Sequence, residues 1–220
     1  MKTLNQFFTS IYKWMALGVL LSAVTAFITM TTPLVYVLNN PIIFYGLVAI
    51  EIALCLGMQW MINKFSSSIS LTLFLIYSAL NGVTMSGVLL YYLTQSASLV
   101  LIIFLVAASM FAFLAVLGYK TKKDMSGWRT FLFASVWGVF FSSLANIYFQ
   151  NSTFDLIISA VALVVFAALT VYDNQFYKNI FAQLEDRESQ KKMVALGALH
   201  MYINFIMIFQ SLLRLVNSRN

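Results

Sequence analysis

The sequence predicts an all-α integral membrane protein with seven transmembrane helices in a single domain. Of its 220 residues, 61% are hydrophobic and 9% are charged, whereas a soluble domain is about 45 to 50% apolar. The apolar residues form long runs, and a helix needs about 20 such residues to cross the hydrocarbon core of a bilayer. The chain therefore has room for about seven spans and for no separate soluble domain.

The apolar runs and the polar segments between them define the order of the spans. Pro33 and Pro41 are the two prolines of the chain, and they bracket an uncharged loop, so proline kinks no span. The first run lacks a clear cleavage site before Thr31, and we interpret it as an uncleaved span rather than a signal peptide. The predicted spans are at about residues 14–30, 42–62, 70–93, 99–117, 130–148, 155–172 and 193–215.

Local signals mark the ends of several spans. A very short turn around Thr94–Ser96 separates the third span from the fourth, and a basic cluster at Tyr119–Asp124 precedes the fifth. Asp155 suits the start of the sixth helix, because a carboxylate there faces the positive end of the helix dipole. We expect this helix to close near Tyr172 and to deliver Val171–Gln175 into a short charged loop before the seventh span.

Basic residues predict the orientation of the protein in the membrane. With seven spans, all of the thirteen basic residues except Arg214 and Arg219 fall on one side. The positive-inside rule then makes the N-terminus cytoplasmic and leaves the C-terminus outside. An alternative is a re-entrant seventh segment that returns to the cytoplasm. The one-sided residues are Lys2, Lys13, Lys64, Lys120, Lys122, Lys123, Arg129, Lys178, Arg187, Lys191 and Lys192.

A few polar side chains lie inside the predicted spans. A charged group there costs about 3 kcal/mol on insertion scales, so it normally faces a protein interior or a water-filled cavity. Glu51 lies mid-span with no basic residue within two turns on its own helix, which favours a functional role over a structural one. Asp173 lies near a helix end, where capping or pairing with Lys178 or Lys64 is the simpler alternative.

The seventh span carries one polar stripe. Measured from His200, helical geometry places Asn204, Ser211 and Arg214 within about 40° on one face. The stripe should face inward, where such residues hydrogen-bond across helix interfaces. For His200 alone we favour this structural role.

The residue inventory excludes several kinds of protein. One histidine and one cysteine cannot build a His/Cys metal site or a disulfide framework. The last span has no lysine between Met193 and Leu213 for a retinal Schiff base, and Ser86 lacks the Gly-x-Ser-Gly setting of an intramembrane protease. We therefore expect no enzyme and no cofactor. The net charge of +6 describes a membrane face against anionic lipid and not a nucleic-acid surface.

Several motifs keep an order along the chain that points to a family. Asp173-Asn174-Gln175 ends an apolar helix, and a charged loop then leads to Ala195–Ile206 and to Leu212-Leu213-Arg214. Lys122–Ser126, Ala145-Asn146-Ile147 and Glu51 fit the same pattern. This arrangement, over about residues 14 to 215, resembles the Bax inhibitor family, the transmembrane Bax inhibitor motif proteins. It is typical of a bacterial member in the cell membrane.

The resemblance implies a seven-helix fold in which the seventh helix is central. Several relatives behave as calcium-leak pathways gated by pH, in which a carboxylate on the sixth helix shares a proton with one on the seventh. Asp173 matches the first position, but Asn204 occupies the second. Relatives also carry an arginine near the cytoplasmic end of the second helix, where this chain has Ile62-Asn63-Lys64. An aspartate beside a neutral amide has no like-charge conflict, so we expect weak pH gating or gating that follows His200.

Two functions remain open at this point. The first is a pathway for calcium or another cation, in which Glu51 and Asp173 supply carboxylates and Asn81 and Asn204 add neutral oxygens. Calcium takes six to eight oxygen ligands, so these groups predict a transient calcium site and no firm metal cage. The second is a binding protein without transport that regulates a membrane protease or a stress response. Exposed segments at Tyr119–Gly127 or Phe181–Gln190 would serve that role.

Overall fold

The computed structural model describes residues 3–62, 64–121, 124–184 and 186–217. Within these ranges it contains α-helices and one short 3-10 turn, and no strand, which confirms the all-α prediction. Among the described residues, six helices are long and apolar enough to cross a membrane. The helices are α1 Leu4–Thr31, α2 Leu34–Val37, α3 Pro41–Trp60, α4 Ser67–Lys120, α5 Arg129–Phe149, α6 Ser152–Phe181 and α7 Arg187–Asn217.

Helix α4 supplies two spanning segments. Its 54 residues would measure roughly 80 Å if straight, whereas the hydrocarbon core is about 30 Å thick. Ser96 breaks the helix with extended backbone angles, φ −163° and ψ 106°. The two arms, residues 67–95 and 97–120, bring the number of segments of spanning length to seven. The predicted turn around Thr94–Ser96 is this one-residue break.

The chain forms two compact units. The first contains Met1–Ala97 and Phe181–Tyr202, and the second contains Ser98–Ile180 and Ile203–Asn220. In the first unit, the Phe7 ring packs 5.1 Å from the Phe181 ring. In the second, the Phe205 ring lies edge-on to Phe104 at 5.5 Å and to Phe111 at 5.8 Å. Each unit thus has its own aromatic core.

Helix α7 is the most buried of the spanning helices. In its apolar stretch 67% of the residues are buried, compared with 11 to 39% in the others, which agrees with the central position predicted for it. Its 31 residues form a continuous helix of roughly 46 Å. This length favours a helix that crosses the whole membrane and argues against the re-entrant alternative.

Two predicted helix ends are corrected. Helix α1 begins at Leu4, ten residues before the predicted span at 14–30. The Thr3 hydroxyl caps it by accepting from the Gln6 N–H at 3.2 Å. Helix α6 runs on to Phe181. The prediction that Val171–Gln175 enters a charged loop is therefore wrong.

The polar residues at the end of α6 stay helical because each finds a partner inside the second unit. The Asn174 amide donates to the Thr170 carbonyl at 2.8 Å. The Gln175 carbonyl accepts from the Met125 N–H at 2.8 Å. Lys178 donates to the Tyr119 carbonyl at 2.8 Å and lies 5.5 Å from the centre of its ring. Lys178 thus binds Tyr119 and not Asp173.

A carboxylate from α7 caps the start of α4. Glu188 lies before the apolar run that begins at Met193, and its two oxygens accept from the Ser67 N–H at 2.6 Å and from the Ser67 hydroxyl at 3.0 Å. The backbone hydrogen bond, followed by the hydroxyl, lowers the pKa of Glu188 from its ordinary value. The first arm of α4 is thereby tied to α7.

The membrane orientation stays a prediction. It depends in part on Lys2, Lys122, Lys123 and Arg219, which lie outside the described residues, as does Asn63.

Candidate functional site

Glu51 lies inside the first unit although its helix is largely exposed. Helix α3 begins with Pro41 after a cap from Asn40, whose side chain accepts from the Ile42 N–H at 3.0 Å. Glu51 and Met58 are the buried residues of α3, and seven positions place them on one face. Glu51 is 7% exposed. The helix therefore turns its one charged side chain inward.

Two uncharged side chains of α4 hold the Glu51 carboxylate. The Thr84 hydroxyl donates to Oε1 at 2.8 Å, and the Asn81 amide donates to Oε2 at 3.1 Å. Asn81 and Thr84 are three residues apart and so share one helix face. The carboxylate is thus fixed by hydrogen bonds that carry no compensating positive charge.

The hydrogen bonds continue from Asn81 to α7 and α1. The Tyr202 hydroxyl donates to Asn81 Oδ1 at 2.9 Å, and the Ser22 and Tyr202 oxygens are 2.5 Å apart. The single proton of Tyr202 points to Asn81, because the Asn81 amide nitrogen already faces Glu51 and its oxygen can only accept. A hydrogen bond between Ser22 and Tyr202 then has Ser22 as its donor, although the same proton can go to a backbone carbonyl instead. From Tyr202 through Asn81 to Glu51, each donor points toward the carboxylate.

A glycine allows α1 and α4 to approach closely at these hydrogen bonds. A Cβ on Gly82 would lie 2.7 Å from the Ser22 Cα, a distance that no normal packing accepts. Ser22 can therefore reach both the Ser78 carbonyl at 2.7 Å and the Gly18 carbonyl at 2.9 Å. Its one proton thus has these two carbonyls and Tyr202 as competing acceptors.

The second unit contains a separate carboxylate and amide pair. Asp173 on α6 and Asn204 on α7 are 6% and 3% exposed. The Asn204 amide donates to Asp173 Oδ2 at 2.7 Å. Gly118 of α4 packs against this part of α6, because a Cβ there would lie 2.8 Å from the Asn174 Cβ. The neutral amide satisfies the carboxylate without sharing a proton.

The predicted site residues fall into two groups. Glu51 and Asn81 are hydrogen-bonded in the first unit, and Asp173 and Asn204 in the second. His200 lies half-buried on α7 within the first unit. Across the part of the chain that the structure describes, no three His, Cys, Asp or Glu side chains are grouped to hold a metal ion.

Three residues of the hydrogen-bond network around Glu51 were not predicted from the sequence. Thr84 carried a signal, since a hydroxyl three residues after Asn81 must share its helix face. Tyr202 and Ser22 carried none, because their positions depend on how α7 and α1 pack against α4.

Comparison with known proteins identifies the family. The family model described as inhibitor of apoptosis-promoting Bax1 matches residues 4–220. The chain belongs to the Bax inhibitor family. It is 33% identical to the inner membrane protein YbhL of Escherichia coli (strain K12), over 98% of this chain and 93% of that protein. It is 36% identical to an uncharacterized membrane protein of Streptococcus pyogenes serotype M6, over 96% and 92% of the two chains.

Membership of the Bax inhibitor family confirms the resemblance that the order of motifs predicted. The relatives with these names are bacterial membrane proteins, and the one from Escherichia coli is an inner membrane protein. A third relative, from Borreliella burgdorferi, is 32% identical over 98% of this chain. The protein is therefore a polytopic membrane protein, and these relatives of it are bacterial.

Proposed function

We propose that this Bax inhibitor family protein is a cation leak pathway, with calcium as the preferred ion. The proposal depends on the surroundings of Glu51, whose carboxylate is buried within a span. Its two hydrogen-bond donors, Asn81 and Thr84, are both uncharged. An ionised group in such a place costs about 3 kcal/mol on insertion scales. A passing cation would offset that cost, whereas a purely structural role would be filled as well by glutamine.

The ligand chemistry suits transit rather than storage. Glu51 offers two oxygens, and the Thr84 hydroxyl and Asn81 carbonyl can add neutral oxygens if their hydrogen bonds exchange. Calcium binds tightly only when several carboxylates converge, so a site with one carboxylate releases the ion readily, as conduction requires. Asp173 with Asn204 has the same composition and would act as a second weak site.

Calcium flux into liposomes that contain only the purified protein tests the proposal. Glu51→Gln keeps the shape of the side chain but removes the charge. The glutamine oxygen can accept from the Asn81 amide, and its nitrogen can donate to the Thr84 hydroxyl, whose own proton can go to the Asn81 backbone carbonyl at 3.1 Å. We expect flux to fall several-fold while the melting temperature stays near that of the parent.

Glu188→Gln is the matched control, because it makes the same chemical change outside the apolar run. It should retain the parental flux per folded molecule. Unchanged flux in Glu51→Gln, or flux lost only together with folding, would return Glu51 to a structural role.

A second candidate is a binding protein that regulates a membrane protease without transport. It is favoured by the hydrogen bonds that hold residues 124–126, where Asp124 accepts from the N–H and the hydroxyl of Ser126 at 2.9 Å each and the Gln175 side chain accepts from the Met125 N–H. Such a fixed segment is suited to docking. Absence of flux from every variant and from the parent would favour this candidate.

A further inference from the structure

The second unit contains a cavity between α5, α6 and α7 that is lined by both polar and apolar side chains. Its volume is about 50 Å³, whereas one water needs roughly 10 to 15 Å³. Val139 and Ile158 contribute apolar walls, and the rest of the lining is rich in polar groups. The polar side chains that line it are Ser143, Ser159, Gln210, Ser211 and Arg214.

Ser159 has an unfilled hydrogen-bonding group at this cavity. It is 2% exposed, and within the described residues its Oγ is the buried side-chain oxygen without a partner. Other helical hydroxyls donate to the carbonyl four residues back, as Ser143 does to Val139 at 2.9 Å and Thr170 to Phe166 at 2.8 Å. A buried hydroxyl without a partner destabilises the folded state. A partner in the cavity would remove that destabilisation.

An ion pair lies where the cavity approaches the surface. Arg214, one of the lining residues, donates to Asp155 at 3.3 Å, and the two side chains are 38% and 42% exposed. Asp155 precedes Ser159 by one helical turn, or roughly 6 Å along α6. Solvent beside the ion pair is therefore within one turn of the unpartnered hydroxyl.

We propose that this cavity is a water-filled vestibule, entered beside the Asp155–Arg214 pair, that carries solvent into the second unit as far as Ser159. Water fits the chemistry of the lining, because hydroxyl, amide and guanidinium groups together offer the two to four polar partners that an internal water needs. The inference is independent of Glu51, so the cation pathway and the vestibule stand or fall separately.

Thiol accessibility in lipid vesicles tests the vestibule. In a Cys55→Ala background, Ser159→Cys is treated with silver nitrate in chloride-free buffer. Silver ion is close to water in size and binds the thiolate, which forms only where water reaches the sulfur. Bound silver then blocks a fluorescent maleimide that is added after denaturation.

Ser109→Cys is the matched control. Ser109 is more exposed than Ser159 in the isolated protein, but Ile102, Leu105, Val106 and Met110 surround it, and such an apolar surface faces lipid. We expect Ser159→Cys to be blocked roughly tenfold faster than Ser109→Cys, or more, because thiolate requires water. Equal blocking, or faster blocking of Ser109→Cys, would overturn the proposal.

A second measurement needs no substitution. Hydroxyl radicals made from water by X-ray radiolysis oxidise only side chains that touch water. Met207 lines the cavity, and Met110 lies on the apolar surface around Ser109; both are half-buried. Met207 should be oxidised several-fold faster than Met110 in vesicles. If it is not, the cavity is dry.

Discussion

Each of the two buried carboxylates in the spans receives a hydrogen bond from an asparagine amide, from Asn81 to Glu51 and from Asn204 to Asp173. The more exposed acids have other partners. The pKa of Asp186 is lowered by hydrogen bonds from the Ser189 side chain and from the Ser189 N–H, the latter at 2.7 Å. Asp155 pairs with Arg214. The more exposed acids thus cap turns or pair with a cation, whereas Glu51 is held by the uncharged side chains of Asn81 and Thr84.

Tyr202 is the residue that joins three helices of the first unit. Tyr202→Phe removes the donor to Asn81 and the acceptor for Ser22 and leaves the Asn81 carbonyl unpaired. The free energy of unfolding should fall by about 1 to 3 kcal/mol, the cost of an unsatisfied buried group, in a denaturant titration in detergent.

Tyr91→Phe, at a tyrosine that is 53% exposed, is the control and should change little. A Tyr202→Phe protein as stable as the parent would show that the hydrogen bonds from Ser22 through Tyr202 to Glu51 do not contribute to the stability of the fold.

The close contact of α1 and α4 gives a prediction for the helices themselves. Gly82→Ala places a methyl group 2.7 Å from the Ser22 Cα, and backbone cannot move aside as a flexible side chain can. Overpacking of this kind costs about 1 to 3 kcal/mol. Thermal unfolding should show a lower melting temperature.

Gly87→Ala is the control on the same helix, because no atom lies within 4 Å of the added Cβ. Alanine is a better helix former than glycine by about 1 kcal/mol, so this variant should be neutral or slightly more stable. Equal loss in both variants would mean that glycine at position 82 serves flexibility and not close contact.

The cap that α7 provides for α4 predicts a pH dependence of stability. Because the Glu188 pKa is lowered by the Ser67 hydrogen bonds, its contribution is fully present above the ordinary glutamate pKa. It is lost as the pH falls through the lower pKa of the folded protein. The melting temperatures of the parent and of Glu188→Gln should therefore differ at neutral pH and converge in acid. A difference that grows in acid would contradict this cap.

The sequence predicted most of the elements because the bilayer sets their length. Runs of about 20 apolar residues located the spanning segments, and the turn near Thr94–Ser96 coincides with the break in α4. The end of α6 was missed, because the partners of Asn174, Gln175 and Lys178 come from packing and partly from residues far away in the chain. A run of polar residues therefore predicts a loop only when nothing is known of the partners that could hydrogen-bond to it within a helix.

At the scale of the molecule, the candidate site was predicted in composition but not in arrangement. Glu51 was identified because a mid-span carboxylate is costly whatever the fold. The sequence did not separate Glu51 with Asn81 in the first unit from Asp173 with Asn204 in the second. The packing of the helices into two units decides this division, and such packing leaves no periodic signal in the sequence.

The response of the whole protein to pH follows from the Asp173–Asn204 pair. An aspartate beside a neutral amide has no like-charge conflict to relieve, so flux in the parent should vary weakly between about pH 6 and 8, or its variation should disappear in His200→Gln. Asn204→Asp brings two carboxyl groups together, and these titrate as a coupled pair. This variant should gain a new pH response.

Calcium flux against pH for the parent, Asn204→Asp and His200→Gln tests this prediction. Asn40→Asp is the matched control, because Asn40 is an exposed helix cap and aspartate caps a helix equally well, so its profile should equal that of the parent. A steep parental response that survives His200→Gln and disappears in Asp173→Asn would mean that Asp173 alone senses protons. In that case the hydrogen bond from the Asn204 amide to Asp173 would not prevent Asp173 from binding a proton. This hydrogen bond would have to break between about pH 6 and 8.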